Sequence, residues 1–242
     1  LFIVLACAAA ISFYCAIPAL RVALKLPEPI LPAAPVRLQR TAGEPTKVPL
    51  SEISLPMQEA MLAAEDHRFY EHHGIDTLGL IRVAIDNIRA GKMVEGGSTI
   101  TQQLAKITFL DQDEKTATRK LSQIVLAVEL ESKYSKKRIL EAYLNKIYFG
   151  RGAYGIEDAA ETYFDMHAAK LPVAQAAFLA GVVREPSWLG DQAHVKEAIE
   201  RQHDVIENME NCGYISDMQE LECKRAPLFV SNHVKISQPV GR

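Results

Sequence analysis

From residue 51 onward, apolar residues recur at three- and four-residue spacing almost without interruption, and this pattern restricts the chain to helices more than any other feature. Leu78, Ile81, Ile85 and Ile88 follow 3-4-3 spacing and stop at Gly91, a glycine C-terminal signal. Ile100, Leu104 and Ile107 form a second stripe behind Gly96-Gly97, and Leu121, Val125 and Val128 a third. Ile139, Leu140, Tyr143, Leu144 and Ile147 form a fourth, with Ser135 placed to cap it and Gly150 beyond its end. Pro172 opens a fifth helix running through Gly181, and a sixth is expected from about 192 to Gly213. There is no internal repeat and no long alternating run, so the fold class is mainly α.

The first 24 residues differ in kind. Leu1 to Leu20 carries no charge, and Arg21 and Lys25 close the run. Twenty helical residues at ~1.5 Å rise reach about 30 Å, the thickness of a bilayer's hydrocarbon core. Residues 1–24 are therefore expected to form a transmembrane helix, with a cleaved leader as the alternative. Residues 25–50 hold six of the 12 prolines and read as an extended stalk, with one short strand allowed at 36–39. Residues 51–228 are expected to form the main domain, followed by a tail at 229–242.

A chain of 242 residues with 48% apolar and 24% charged residues has the composition of a folded protein rather than a disordered one. Twenty-seven basic against 30 acidic groups leave a net charge of −3, and no basic excess points to nucleic acid. Cys7 and Cys15 lie in the apolar run, while Cys212 and Cys223 are spaced to bridge if the domain lies outside the cytoplasm. No Cys or His spacing suits a structural metal.

Two segments concentrate groups suited to chemistry. In Ala64–Asp76, Glu65 follows the apolar Met61, Leu62, Ala63 and Ala64 and precedes Asp66 and Phe69. A carboxylate in that setting is partly desolvated, as a general base requires, although a solvated helix end is the plain alternative. In Gly96-Gly97-Ser98-Thr99-Ile100-Thr101-Gln102-Gln103-Leu104-Ala105-Lys106, two glycines precede a helix start whose N–H groups, with Ser98 and Thr99, suit an anion. Thr99, Gln103 and Lys106 share a polar stripe opposite Ile100, Leu104 and Ile107, and Arg119 and Lys120 add two cations nearby in sequence. A phosphate or diphosphate fits this set, with a charged solvent face as the alternative. No Gly-Lys-Ser/Thr follows a strand, so it is not a nucleotide phosphate loop.

Glu65-Asp66 with Phe69, His72 and Gly74, then GGSTITQQLAK at 96–106, Arg119-Lys120, and KKRILEAYLNKIYFGRGAYGI at 136–156 occur in that order. This resembles the peptidoglycan glycosyltransferases of family 51, the polymerising module of class A penicillin-binding proteins and of monofunctional transglycosylases. The likeness runs from about Leu55 to Pro227. It implies a lysozyme-like helical fold on the outer face of a bacterial cytoplasmic membrane, acting on lipid II and the growing glycan strand, with cell-wall synthesis proteins as further partners. It implies that Glu65 deprotonates the acceptor hydroxyl and that undecaprenyl diphosphate leaves. Asp66, Ser98, Thr99, Gln102, Gln103, Lys106, Arg119 and Lys120 match its substrate-binding positions. Asn145 and Tyr148, with Tyr143, match its fourth motif, which supports the cleft, and Asn145 and Tyr148 are counted with the substrate-binding positions; residues near 77–95 match the membrane-facing part that admits the lipid. No cofactor is implied, though a divalent cation such as Mg or Mn is compatible. No SxxK motif occurs, so no serine transpeptidase is expected in this chain.

One position departs from the family. Its second catalytic carboxylate corresponds to Gln123, and an amide cannot transfer a proton. Glu129 and Glu131 lie six and eight residues further on, roughly 600° and 800° around a helix, so neither takes its place. Two readings follow: a polymerising enzyme of reduced activity that relies on Glu65, or a catalytically impaired paralogue that binds lipid II. A hydrolase fits the fold but not the cations.

Overall fold

The computed structural model describes residues 2–35, 44–80, 82, 97–110, 117–228 and 230–231, without the side chains of residues 2–11 and 13. The described residues are mainly helical and contain no strand; Tyr148 and Tyr154 form one isolated antiparallel bridge. The chain divides into two compact units, Leu1–Pro32 with Arg68–Ile139, and Ala33–His67 with Leu140–Arg242.

The first unit contains α1 (Phe2–Ala23), α3 (Ile100–Phe109) and α4 (Ala117–Lys133). α1 packs on α4 through Ile17, Val125 and Val128, with Leu20, Leu24, Leu26, Ile75 and Leu121 around them. Gly74 adopts φ +85°, and a Cβ there would lie 3.0 Å from the backbone of Ala127 and Val128, so only glycine brings this loop so close to α4. The start of the Pro-rich segment has no helix or strand among the described residues and is strapped to the same unit. Arg21 pairs with Glu129 at 3.0 Å, Glu28 with Lys133 at 2.7 Å, and Leu31 N–H donates to the Tyr134 hydroxyl at 3.0 Å. Arg138 donates to the Pro32 carbonyl.

In the second unit α2 (Leu55–Glu65) is capped by Ser54, whose hydroxyl accepts from Met57 N–H. α2 packs against α7 (Val173–Val182) and α9 (Val195–Asn211). α7 is apolar nearly all round and buried from Ala176 to Val182, which is why its neighbours must cover it. α9 turns Ala198, Val205, Ile206 and Met209 inward, and its buried Gln202 donates to the Ala174 carbonyl at 2.7 Å. α6 (Ile156–Phe164), α8 (Pro186–Leu189) and α10 (Asp217–Arg225) complete it, and α5 (Lys136–Leu144) carries the chain from the first unit into the second.

The expected helices over Ile100–Ile107, Leu121–Val128, Pro172–Gly181 and 192–213 are present, close to the bounds that periodicity suggests. The fourth stops at Leu144 rather than running to Ile147, where the Asn145 side chain bonds both the Glu141 carbonyl at 2.8 Å and the Val48 backbone. Most of the expected helix over 78–88, and the short strand at 36–39, lie outside the described residues. Cys212 and Cys223 are not bridged: one caps the end of α9 and the other lies on α10, and burial and then Glu222 push the Cys223 thiol pKa up. Among the described residues, no helix is long and apolar enough to cross a membrane.

Candidate functional site

The residues expected to carry chemistry divide between the units. In the first, Thr99 is the N-cap of α3, and its hydroxyl accepts from Gln102 N–H at 3.2 Å while donating to the Gly74 carbonyl at 2.8 Å. The Gln102 side chain donates to the same carbonyl at 3.1 Å. Its other end, Oε1, accepts from the Lys120 ammonium at 2.9 Å, and Ser98 Oγ accepts from that ammonium at 2.8 Å. Two neutral oxygens thus aim Lys120 without neutralising it. Partial burial and then the charge of Lys106 push the Lys120 pKa down, so two cations stand close together. Among the described residues neither Lys106 nor Lys120 pairs with a carboxylate.

This cradle differs from the polar stripe that helical spacing suggests. Thr99 is 3% exposed and Gln102 2%, and both turn inward to Gly74. They shape the site, whereas Ser98, Gln103, Lys106 and Arg119 retain solvent access. In the sequence Gly74 stands out only as a member of the first motif; that its carbonyl organises α3 depends on a contact 25 residues away. Gln123 lies on α4 at 7% exposure, and its amide makes no hydrogen bond to the described residues. Neither nearby carboxylate stands in for it. Glu129 is paired with Arg21, and Glu131 is taken by Lys136 and Thr101.

In the second unit, Glu65 is the last residue of α2 and half-buried, and Asp66, 7% exposed, is its C-cap. The fully buried Tyr143 phenol has its pKa pushed well up, first by burial and then by the Glu65 and Asp66 carboxylates, which places both acids near this hydroxyl. Asn145 is committed to the backbone. Its Oδ1 accepts from Val48 N–H at 2.8 Å, and its Nδ2 donates to the carbonyls of Val48 and Glu141 at 2.9 and 2.8 Å. Glu141 meanwhile accepts from Leu50 N–H at 2.8 Å, so the segment before α2 is clamped onto α5. Tyr148 accepts from Gly152 N–H at 3.3 Å and stacks on Tyr154 at 4.7 Å between ring centroids.

Glu157, Glu161 and His167 are the group of described residues whose ligating atoms lie close enough together to share a cation. Glu157 is already engaged there, accepting from Ala168 N–H at 2.9 Å and lying 2.6 Å from His167 Nδ1.

Together these features define a helical protein with an electropositive cradle and a half-buried acid at a helix end. The family model described as Transglycosylase matches residues 35–210, and the chain belongs to that family. It is 41% identical over 201 residues to penicillin-binding protein 1A of Aquifex aeolicus, covering 82% of this chain and 28% of that one. Penicillin-binding protein 1F of Bacillus subtilis is 43% identical over 188 residues, covering 78% and 26%. The chain thus spans about a quarter of the length of these two relatives. A protein of Cupriavidus necator named as a transglycosylase is 41% identical over 172 residues, 71% of this chain and 74% of its own. A crystal structure of penicillin-binding protein 1A from Haemophilus influenzae aligns with 78% of this chain and 19% of its own at TM-score 0.43 and 21% identity, too distant to carry the fold assignment.

Proposed function

We propose that this chain is a peptidoglycan glycosyltransferase with a lysozyme-like domain, polymerising lipid II into glycan strands with release of undecaprenyl diphosphate. The observation that carries the reading is the Lys106–Lys120 pair, held without a carboxylate partner among the described residues, in a chain of the transglycosylase family. A departing diphosphate gains negative charge as its bond to the sugar lengthens, and oriented cations stabilise that charge more in the transition state than in the ground state. Glu65 takes the proton of the acceptor 4-hydroxyl as the new glycosidic bond forms, a role that suits a carboxylate half-removed from water. Thr99 and Gln102 act as supports, Ser98 and Lys120 as contacts to the leaving group, and Gln103, Lys106 and Arg119 as further anion or sugar contacts.

Residues 1–24 anchor the chain in the cytoplasmic membrane with the domain on the outer face, where lipid II is presented; the uncharged run from Leu1 to Leu20 supports this. The exposed Leu78 and Leu80, at 58% and 44%, fit a surface that meets lipid. The growing strand and other cell-wall synthesis proteins are the partners this placement would offer. The proposed steps need no cofactor, and a divalent cation such as Mg or Mn would act by screening the diphosphate.

A second reading, a lipid II-binding paralogue of low activity, is favoured by Gln123, whose amide cannot transfer a proton. The test is chain formation from labelled lipid II in detergent by the wild type, Glu65→Gln and Gln123→Glu. Polymer from the wild type and none from Glu65→Gln supports the enzyme. Tight lipid II binding without polymer, restored by Gln123→Glu, supports the paralogue. Equal polymerisation by the wild type and Glu65→Gln overturns the role of Glu65.

A further inference from the structure

Behind the cradle, in the same unit, lies a buried ionic cluster. The Glu131 carboxylate has 4% of its side chain exposed, and the Lys136 ammonium approaches both of its oxygens at 2.7 Å. Its Oε1 also accepts from the Thr101 hydroxyl at 2.6 Å. On its other side the Lys136 ammonium lies 4.3 Å from the centroid of the Phe69 ring, which is 1% exposed and packs edge-on against Tyr70 and His72.

Thr101 is fully buried in the first turn of α3, the turn whose neighbours Ser98 and Gln102 hold Lys120. The opening N–H groups of a helix have no partners within it, so side chains decide how firmly that turn is held. Thr99 ties it to the Gly74 carbonyl. Thr101, about 200° further round the helix, ties the opposite side to α4 through Glu131. A buried carboxylate persists as an anion only where a cation compensates it, and an ionised acceptor makes the stronger hydrogen bond to a hydroxyl.

We infer that Lys136, acting through Glu131 and Thr101, is a positioning residue for the anion cradle of Ser98, Gln102 and Lys120. The functional half of this inference rests on the glycosyltransferase reading above. Lys136 holds both oxygens of Glu131 in place, Glu131 fixes the Thr101 hydroxyl, and the pinned turn holds the oxygens that aim Lys120.

The test uses the whole chain in detergent. Thr101→Val deletes the hydroxyl at nearly unchanged shape and leaves the ion pair intact. Hydrogen exchange at the Gln102 and Gln103 amides then rises, while α9 exchanges as in the wild type. Affinity for a long-chain prenyl diphosphate falls about tenfold, as expected for a charge-assisted contact that is no longer aimed. Thr101→Ser restores both, and the pair Lys136→Met with Glu131→Gln, which removes both charges together, reproduces the Thr101→Val behaviour. Wild-type exchange at Gln102 and Gln103 in Thr101→Val overturns the inference, as does a rise spread evenly over α3, α4 and α9. Localised exchange in a protein whose wild type ignores prenyl diphosphate overturns the glycosyltransferase reading and leaves the structural link from Lys136 to the turn standing.

Discussion

The cradle of the first unit and the clamp of the second are built from similar polar residues put to opposite uses. Gln102 spends one end of its amide on the Gly74 carbonyl and the other on steering Lys120, a cation with no carboxylate beside it among the described residues. Asn145 spends both ends on the main chain of Val48 and Glu141. Both are almost fully buried, at 2% and 7% exposure, and both fall in motifs that a sequence reader assigns to substrate. What separates them is where their hydrogen bonds lead. A network ending on an uncompensated charge is prepared for a ligand, whereas one that closes on backbone groups holds the fold together.

The largest effect expected falls on the acid in the second unit. Glu65→Gln should lower polymerisation by roughly 10²–10⁴-fold, the usual worth of a general base, with an unchanged melting temperature because the amide has the same shape. A comparable loss of stability would make Glu65 part of the clamp rather than of the chemistry.

Asn145→Ala sharpens the contrast from the structural side. It leaves the Val48 backbone groups buried without their partners and should cost about 2–3 kcal/mol of stability. Denaturant unfolding measures this, and prenyl diphosphate affinity at a temperature where the variant is folded should match the wild type. A selective loss of affinity would return Asn145 to the binding site.

Lys120→Met should do the reverse, weakening prenyl diphosphate binding by about 1.5–3 kcal/mol, tenfold or more, with little change in stability. Because the Lys120 pKa lies below the ordinary 10.5, wild-type affinity should begin to fall at a lower alkaline pH than for an ordinary lysine. The sign follows from the ammonium being the binding form: raising the pH removes it. Lys120→Arg, which stays charged, should flatten that decline, and an identical profile in both proteins would exclude Lys120 as the titrating group.

Gln123→Glu is expected to have the smallest effect, a rise in polymerisation rate of about tenfold or less, since proton transfer assisted by a second group is a modest part of the total. A fall in rate would mean that the position has adapted to its amide.

Much of the helical framework was legible in the sequence, for a reason that particular residues make plain. Leu121, Val125 and Val128 repeat with the helical period, and burial against a neighbour is what such a stripe is for. Pro172 and the Ser135 cap were equally readable, because local backbone chemistry acts within one turn. The end of α5 was less so: Ile147 continues the apolar period, yet the helix stops at Leu144, where the Asn145 side chain reaches Val48, 97 residues away.

The candidate site divides in the same way. Order and spacing of residues by themselves determined the family, the anion-suited start of α3 and the presence of an amide at Gln123 where a carboxylate was expected. Only the tertiary structure decided that Thr99 and Gln102 face inward, that the Asn145 amide is bonded to the backbone of Val48 and Glu141, and that Glu131 is tied to Lys136. The physical reason is that a side chain's type states which bonds it can make, while its partners are set by distant segments that packing brings within about 3 Å.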